Sequence, residues 1–288
     1  MAQMLYGKPV ADALTVDTRR RADLLRDKGV MPKLVILRCG ENEADGAYIR
    51  GAMKRGGLCG VDVELRTLAA DVPADTLART LKAVNGDSAV HGCLLLRPLP
   101  GQLKAAESGL CALLDPRKDV DGMTPVSAAG VFTGSGEGFP PCTAQACMAL
   151  LDYYHIDCAG KSAAVIGRSA VVGRPAAMLL LARNATVTVC HSKTRDTAAV
   201  TRQADIVVTA AGAANSLTAD HVRPGQVVVD VSTNWNGTGL CGDADFDAAA
   251  EIVEAITPVP GGVGAVTSAV LMAHTVRAAE KLTGEGGL

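Results

Sequence analysis

The chain is poor in aromatic residues, which argues against one class of partner. Three Phe, four Tyr and one Trp among 288 residues leave few flat platforms on which nucleic acid bases could stack. Positive charge is not in excess either: 28 Lys and Arg face 30 Asp and Glu, a formal net charge of −2 that supplies no field for a polyphosphate backbone. Nucleic acid is therefore not an expected partner. No apolar run approaches the roughly 20 residues needed to span a bilayer. The N-terminus MAQMLYGKPVADAL also lacks a cationic start followed by an apolar core. A cytoplasmic protein with no membrane partner is expected. The nine cysteines contain no C-x-x-C pair and mostly sit inside apolar runs, so free buried thiols are expected rather than disulfides or zinc. His91, His155, His191, His221 and His274 make no metal-ligand spacing with one another or with a cysteine, and no metal is expected.

What the chain does have is apolar content, 48% against 20% charged residues, enough for a large core and for two domains of ordinary size. Its organising stretch runs from Ala163 to Thr194. Ala163–Ile166 is a short apolar run suited to a buried parallel strand and is ended by Gly167. Gly173, Arg174 and Pro175 open a helical segment through Leu181, with Pro175 acceptable in its first turn. Thr186–Cys190 is a second strand. A strand feeding a helix N-terminus gathers unpaired N–H groups and the positive end of the helix dipole at one spot, which suits a pyrophosphate. The spacing is not G-x-G-x-x-G, because Gly167 and Gly173 stand six apart. Where an acidic residue would hold a ribose 2′-hydroxyl, the chain writes His191, Ser192, Lys193, Thr194, which with Arg168 suits a 2′-phosphate and hence NADP over NAD.

The remaining elements alternate between strand and helix, the pattern of parallel sheets covered by helices, an α/β fold. Strands are expected at Lys33–Arg38, Val61–Leu65, Gly92–Leu96, Asp205–Thr209 and Gln226–Asp230. Helices are expected at Ala11–Lys28, Tyr48–Gly57, Ala74–Val84, Ala144–Tyr153 and Val266–Leu282. In the second of these Gly51, Gly56 and Gly57 each cost about 1 kcal/mol relative to alanine. Between Pro116 and Pro141 the chain turns glycine- and proline-rich, with a flexible run at Gly134–Gly138, and the domain crossing is placed just beyond it. Ile256–Gly264 is a rigid proline-glycine loop.

Seven separate stretches occur in the order of one family: LYGKPVA, GCLLLRPLP, PRKDVDG, PCT, GRSAVVGRP, NATVTVCHSKT and TPVPGGVG. Over almost its full length the chain resembles the methylenetetrahydrofolate dehydrogenase/cyclohydrolase (FolD) family. The resemblance implies an N-terminal catalytic, folate-binding α/β domain (1–143), a Rossmann-like NADP-binding domain (144–265) and a C-terminal helix (266–288) packing back on the first domain. It also implies a homodimer that takes tetrahydrofolate derivatives, oxidises 5,10-methylenetetrahydrofolate with NADP and hydrolyses the methenyl product to 10-formyltetrahydrofolate. Carried over residue by residue, cofactor contacts fall on Gly167, Arg168, Ser169, Ser192 and Thr233. The folate-binding aspartate falls on Asp121, with Pro260, Gly261 and Gly262 lining the same cleft. From the residues alone, Asp119 and Asp121 read as turn caps, and Asp243 and Asp245 as turn and cap residues.

The departure lies in the family's tyrosine-lysine motif. Tyr48 is present and is expected to stack on and hydrogen-bond the folate, but the lysine four residues on is Ala52, and Gly40 and Gly60 hold the register without a gap. Lys54 matches the second lysine of the pattern and lies about 200° around a helix from position 52. The glutamine that supports the missing lysine is Leu96, followed by Arg97. Hydride transfer mainly needs positioning, whereas hydrolysis also needs proton handling. Dehydrogenase activity is therefore expected to persist, with cyclohydrolase weak, absent or carried by a replacement such as Lys54 or Arg97. Ala52 and Leu96 also admit a regulatory paralogue that binds NADP and folate without turnover. KDVDG and TPVPGGVG disfavour a shikimate-type dehydrogenase.

Overall fold

The structure, a computed structural model, describes residues 1–284, without the side chains at 43 and 44. The chain forms two units, one from Met1–Asp12 with Thr143–Thr267 and the other from Ala13–Cys142 with the segment from Ser268 onward. The first dozen residues, expected with the N-terminal domain, belong instead with the 143–267 unit, because β1 (Gln3–Met4) pairs in parallel with a strand near residue 255. Two residues are too few to show a period in the sequence.

The N-terminal helix α1 (Gly7–Asp27) is followed by β2 (Lys33–Cys39), whose Leu34, Val35, Ile36 and Leu37 are all fully buried, as in a parallel strand covered on both faces. From β2 the chain passes through α2 (Glu43–Cys59) to β3 (Asp62–Leu68) on one side, then through α3 (Ala74–Gly86) to β4 (Gly92–Leu95) on the other. Buried Leu77, Leu81 and Val84 form the apolar stripe that seats α3. A bridge from Cys93 to Asp119 lays the segment after α4 (Glu107–Cys111) alongside β4. The glycine- and proline-rich stretch between Pro116 and Pro141 contains a helix, α5 (Pro125–Thr133), ending in left-handed Gly134 just where the flexible run was expected to begin. Its start signal is Thr124 as cap with Pro125 in the first turn, a pattern hidden by the surrounding glycines.

After α6 (Cys142–Tyr153), the other unit alternates β5 (Ser162–Ile166), α7 (Gly173–Ala182), β6 (Thr186–Cys190), α8 (Thr197–Thr201), β7 (Ile206–Thr209) and β8 (Val227–Asp230). A small hairpin, β9 (Asn234–Trp235) and β10 (Leu240–Cys241), precedes α9 (Phe246–Ala250), β11 (Ala255–Ile256) and α10 (Gly264–Thr283). The sheet order is β1-β11-β8-β7-β5-β6, and every pairing is parallel. This is the doubly wound, Rossmann-like arrangement expected, and α10 returns to the other unit, where Glu280 takes two hydrogen bonds from Arg21.

Both sheets share one topological feature. The chain leaves β5 to one side for β6 and returns to the other side for β7; likewise it leaves β2 for β3 and returns for β4. Ligand crevices form where the strand order reverses in this way, outside the carboxyl ends of the strands. Among the described residues no helix is long and apolar enough to cross a membrane, and all nine cysteines are free.

Candidate functional site

At the carboxyl end of β5 backbone packs closely on backbone. Gly167 has φ +123°, and a Cβ there would strike the Ala210 carbonyl oxygen, so no side chain is tolerated. A Cβ on Gly173 would meet the Gly167 carbonyl oxygen, which holds the start of α7 against the strand end. Ser169 Oγ accepts from the N–H groups of Val172 and Gly173 at 3.1 and 3.3 Å, closing the turn. Register places Ile166 beside Cys190 and Thr209, and Thr209 beside Asp230, so the exits toward Gly167, Ser192 and Thr233 share one edge. Arg168, Ser169, Ser192, Lys193 and Thr233 are exposed there. His191 is turned into its own loop, its Nδ1 accepting from Lys193 N–H at 3.1 Å, and forms no dyad with buried Cys190.

The loop 257–264 leaves β11 at the same edge. Thr257 Oγ1 accepts from Asp230 N–H at 2.7 Å. Gly7 donates to the Gly261 carbonyl at 2.8 Å, and a Cβ on Gly7 would meet the Gly262 carbonyl oxygen. Pro260, Gly261 and Gly262 thus belong to the unit that carries the cofactor candidates. The fully buried Asp243 carboxylate accepts from the N–H groups of Ala211, Gly212 and Ala213, the hydroxyls of Thr209 and Ser232, and Asn234 Nδ2. It pins the turn after β7 and has no capacity left for acid-base work, while Asp245 caps α9. This fits their reading as structural residues.

In the other unit, the segment Lys118–Gly122 is tied down residue by residue. Buried Lys118 donates from Nζ to the carbonyls of Val84, Asn85 and Asp87 at the end of α3. Asp119, fully buried, accepts from Met123 N–H, Thr124 N–H and Ser127 Oγ at 2.9, 2.8 and 2.6 Å. Gly122 adopts φ +65° against the Phe139 carbonyl. Asp121 differs from Asp119: its carboxylate takes one long backbone bond, 3.4 Å, from Cys142 N–H and has the Cys142 thiol beside it. Burial pushes its pKa up from the ordinary carboxylate value, and hydrogen bonding with Cys142, then the charge of Arg97, oppose that push. The cap reading holds for Asp119; among the described residues the Asp121 carboxylate is partnered by Cys142 alone and keeps lone pairs for a further donor.

Helix α2 presents Tyr48 to this loop. Burial first, then the proximity of Cys142 and Asp121, hold its hydroxyl well above the ordinary phenol range, so it is a donor. Ala52, one turn on, is fully buried, whereas Lys54 is exposed on another face of the helix. Lys54 is thus not brought to Tyr48 and Asp121. Leu96 is half-buried at the end of β4, its N–H bonded to the Leu37 carbonyl at 2.9 Å, and half-buried Arg97 follows. The side chains that sequence reasoning missed are Cys142 and His274, both buried beside the Val120 carbonyl. The signal for His274 was present: a single imidazole among the apolar positions of a helix, where burying a polar ring without a partner is costly.

Two family models cover most of the chain: the tetrahydrofolate dehydrogenase/cyclohydrolase catalytic domain matches residues 5–121, and the NAD(P)-binding domain of the same name matches residues 141–283. The bifunctional protein FolD of Carboxydothermus hydrogenoformans is 46% identical over 287 residues, covering 99% of each chain. Among solved structures, the Campylobacter jejuni bifunctional enzyme FolD superposes with a TM-score of 0.94 at 36% identity, covering 98% of this chain and 99% of the other. The Trypanosoma brucei methylenetetrahydrofolate dehydrogenase-cyclohydrolase, solved with NADP cofactor and an inhibitor, gives 0.90 at 32%, covering 97% and 98%.

Proposed function

The chain belongs to the tetrahydrofolate dehydrogenase/cyclohydrolase family, and from that premise we propose that it oxidises 5,10-methylenetetrahydrofolate with NADP and hydrolyses the methenyl product poorly. The residues present fit the cofactor: Gly167 and Gly173 let the strand end pack directly against the start of α7, and Arg168, Ser192 and Lys193 offer a cationic, hydroxyl-bearing edge suited to a 2′-phosphate. NADP, when bound, supplies the hydride acceptor. Asp121 binds the amino-pyrimidine edge of the pterin, accepting from two N–H groups, a geometry the remaining lone pairs of its carboxylate allow. Tyr48 stacks on the folate and donates to it. These contacts hold the methylene carbon for hydride loss.

Hydrolysis asks for more. Water must lose a proton as it adds to the methenyl carbon, and the departing nitrogen must gain one. The observation that carries the reading is the face of α2 that follows Tyr48: a methyl group at the family's lysine position, with the nearest lysine exposed elsewhere on the helix. Arg97 brings charge, but a guanidinium does not exchange its proton in a protein.

Two spectrophotometric assays of the purified protein test the proposal: NADPH formation with methylenetetrahydrofolate, and loss of methenyltetrahydrofolate. The first is expected to be robust and the second at least tenfold slower, with A52K/L96Q raising the second by about 10- to 100-fold. Hydrolysis as fast as dehydrogenation in the unaltered protein, untouched by Lys54→Ala, overturns the weak-cyclohydrolase reading. Nucleotide binding with no NADPH formation overturns the dehydrogenase and leaves the regulatory paralogue.

A further inference from the structure

One carbonyl oxygen in the unit that carries Asp121 has two side-chain donors from distant parts of the chain. The Val120 oxygen accepts from His274 Nδ1–H at 2.9 Å and from Cys142 Sγ–H at 3.3 Å, and the two donor atoms lie 3.8 Å apart. A carbonyl only accepts, so the partner itself assigns the imidazole hydrogen to Nδ1. Cys142 stays a thiol donor, because burial and then the Asp121 charge push its pKa well up. The imidazole packs against Phe139, ring centroids 5.1 Å apart. Cys142 also donates its backbone N–H to Asp121 Oδ1, so one residue touches both ends of the Val120–Asp121 linkage.

A stability role alone explains this poorly. Apart from Thr275, whose hydroxyl bonds back to the Leu271 carbonyl, α10 meets the core with apolar side chains such as Val270, Leu271, Met272 and Val276, and an apolar residue at position 274 would continue that face without the cost of desolvating an imidazole. The carbonyl it holds belongs to the peptide that leads directly into Asp121. The neighbouring Lys118 and Asp119 side chains are already committed to α3 and α5.

We propose that His274 and Cys142 are positioning residues for Asp121: their converging donors lock the Val120 carbonyl and thereby aim the Asp121 carboxylate at the folate. This rests on the reading of Asp121 as the pterin-binding group. A bidentate pair is sensitive to small displacements of the carboxylate, so the effect belongs in folate recognition and not in cofactor recognition.

Steady-state kinetics of the full chain with methylenetetrahydrofolate and NADP test it. His274→Leu is expected to raise KM for the folate about tenfold while leaving KM for NADP and kcat within about threefold, and His274→Asn, which keeps an N–H donor, to recover most of the loss. Should His274→Leu fail to fold, Cys142→Ser and Cys142→Ala take its place: the hydroxyl keeps a donor and the lower KM, the methyl does not. A folded His274→Leu with unchanged folate KM, or equal KM in the two Cys142 variants, overturns the proposal. Asp121→Asn separates the two readings. If it leaves folate KM unchanged, the assignment of Asp121 itself is wrong; if it raises KM while the His274 and Cys142 variants do not, only the positioning role is wrong.

Discussion

The turn after β5 and the loop before α5 both serve a ligand in the function proposed, and they are made of different material. Around Gly167 the holding is done by backbone. The required features are a positive φ, two positions without a Cβ and a row of strand ends in register, while the side chains on the edge are exposed and mostly unconstrained. Around Asp121 the holding is done by side chains: Lys118 into three carbonyls, Asp119 into three donors, and His274 and Cys142 onto one oxygen. A backbone site tolerates many side-chain changes but no added Cβ. A side-chain site tolerates backbone variation only as far as its distant partners follow.

The hardest strike at this contrast is Gly167→Ala. Strain at φ +123° and collision with the Ala210 carbonyl are expected to cost more than about 3 kcal/mol of stability and to abolish measurable NADP binding, read by denaturant unfolding and by titration. A folded variant with near-normal NADP affinity would show that the turn is not backbone-built.

The next effect lies in the side-chain region and is read by pH. Burial pushes the His274 imidazole down to about 4, from an ordinary value near 6.5, so the unfolded chain binds the proton more readily. The stability this residue contributes is full above pH 6.5 and is lost as pH falls toward 4, by up to about 3 kcal/mol. His91 and His221, lowered by burial, act in the same direction, whereas Asp230, raised by burial to about 6, contributes stability that is lost as pH rises through that value. Comparing His274→Asn with the unaltered chain between pH 7 and pH 4.5 isolates the one group. The variant is expected to lose less stability, a gap of a few degrees in Tm, and parallel curves would mean that His274 is not held neutral.

The smallest effect is Ser169→Ala. Its hydroxyl closes the turn with two bonds at an exposed position, so about 1 kcal/mol or a few-fold in NADP affinity is expected. A loss approaching that of Gly167→Ala would break the contrast, because a side chain would then be carrying the backbone site.

Much of the fold was legible because its signals are local. Apolar runs such as Leu34–Leu37 and Val227–Val229 needed only their own composition to read as buried parallel strands. The pairs β1, β9, β10 and β11 escaped because two residues carry no period, and α5 escaped because its Thr-Pro start and glycine stop lie among other glycines. At the candidate site, Gly167 and Asp121 are proposed from their motifs. His274 was set aside with His91, His155 and His221 as scattered, since nothing at positions 270–278 names a partner 154 residues away.

By itself the sequence determined that parallel sheets covered by helices would form, that a glycine turn would follow β5, and that the position four residues after Tyr48 carries a methyl group, since each depends on residues adjacent in the chain. Only the tertiary structure decided that Asp119 of KDVDG is committed to the start of α5 while Asp121 is not, that Lys54 is exposed while Ala52 is buried, and that an imidazole from the last helix holds the carbonyl before Asp121. Hydrogen-bond partners and burial arise when distant segments pack together, and no local propensity encodes them.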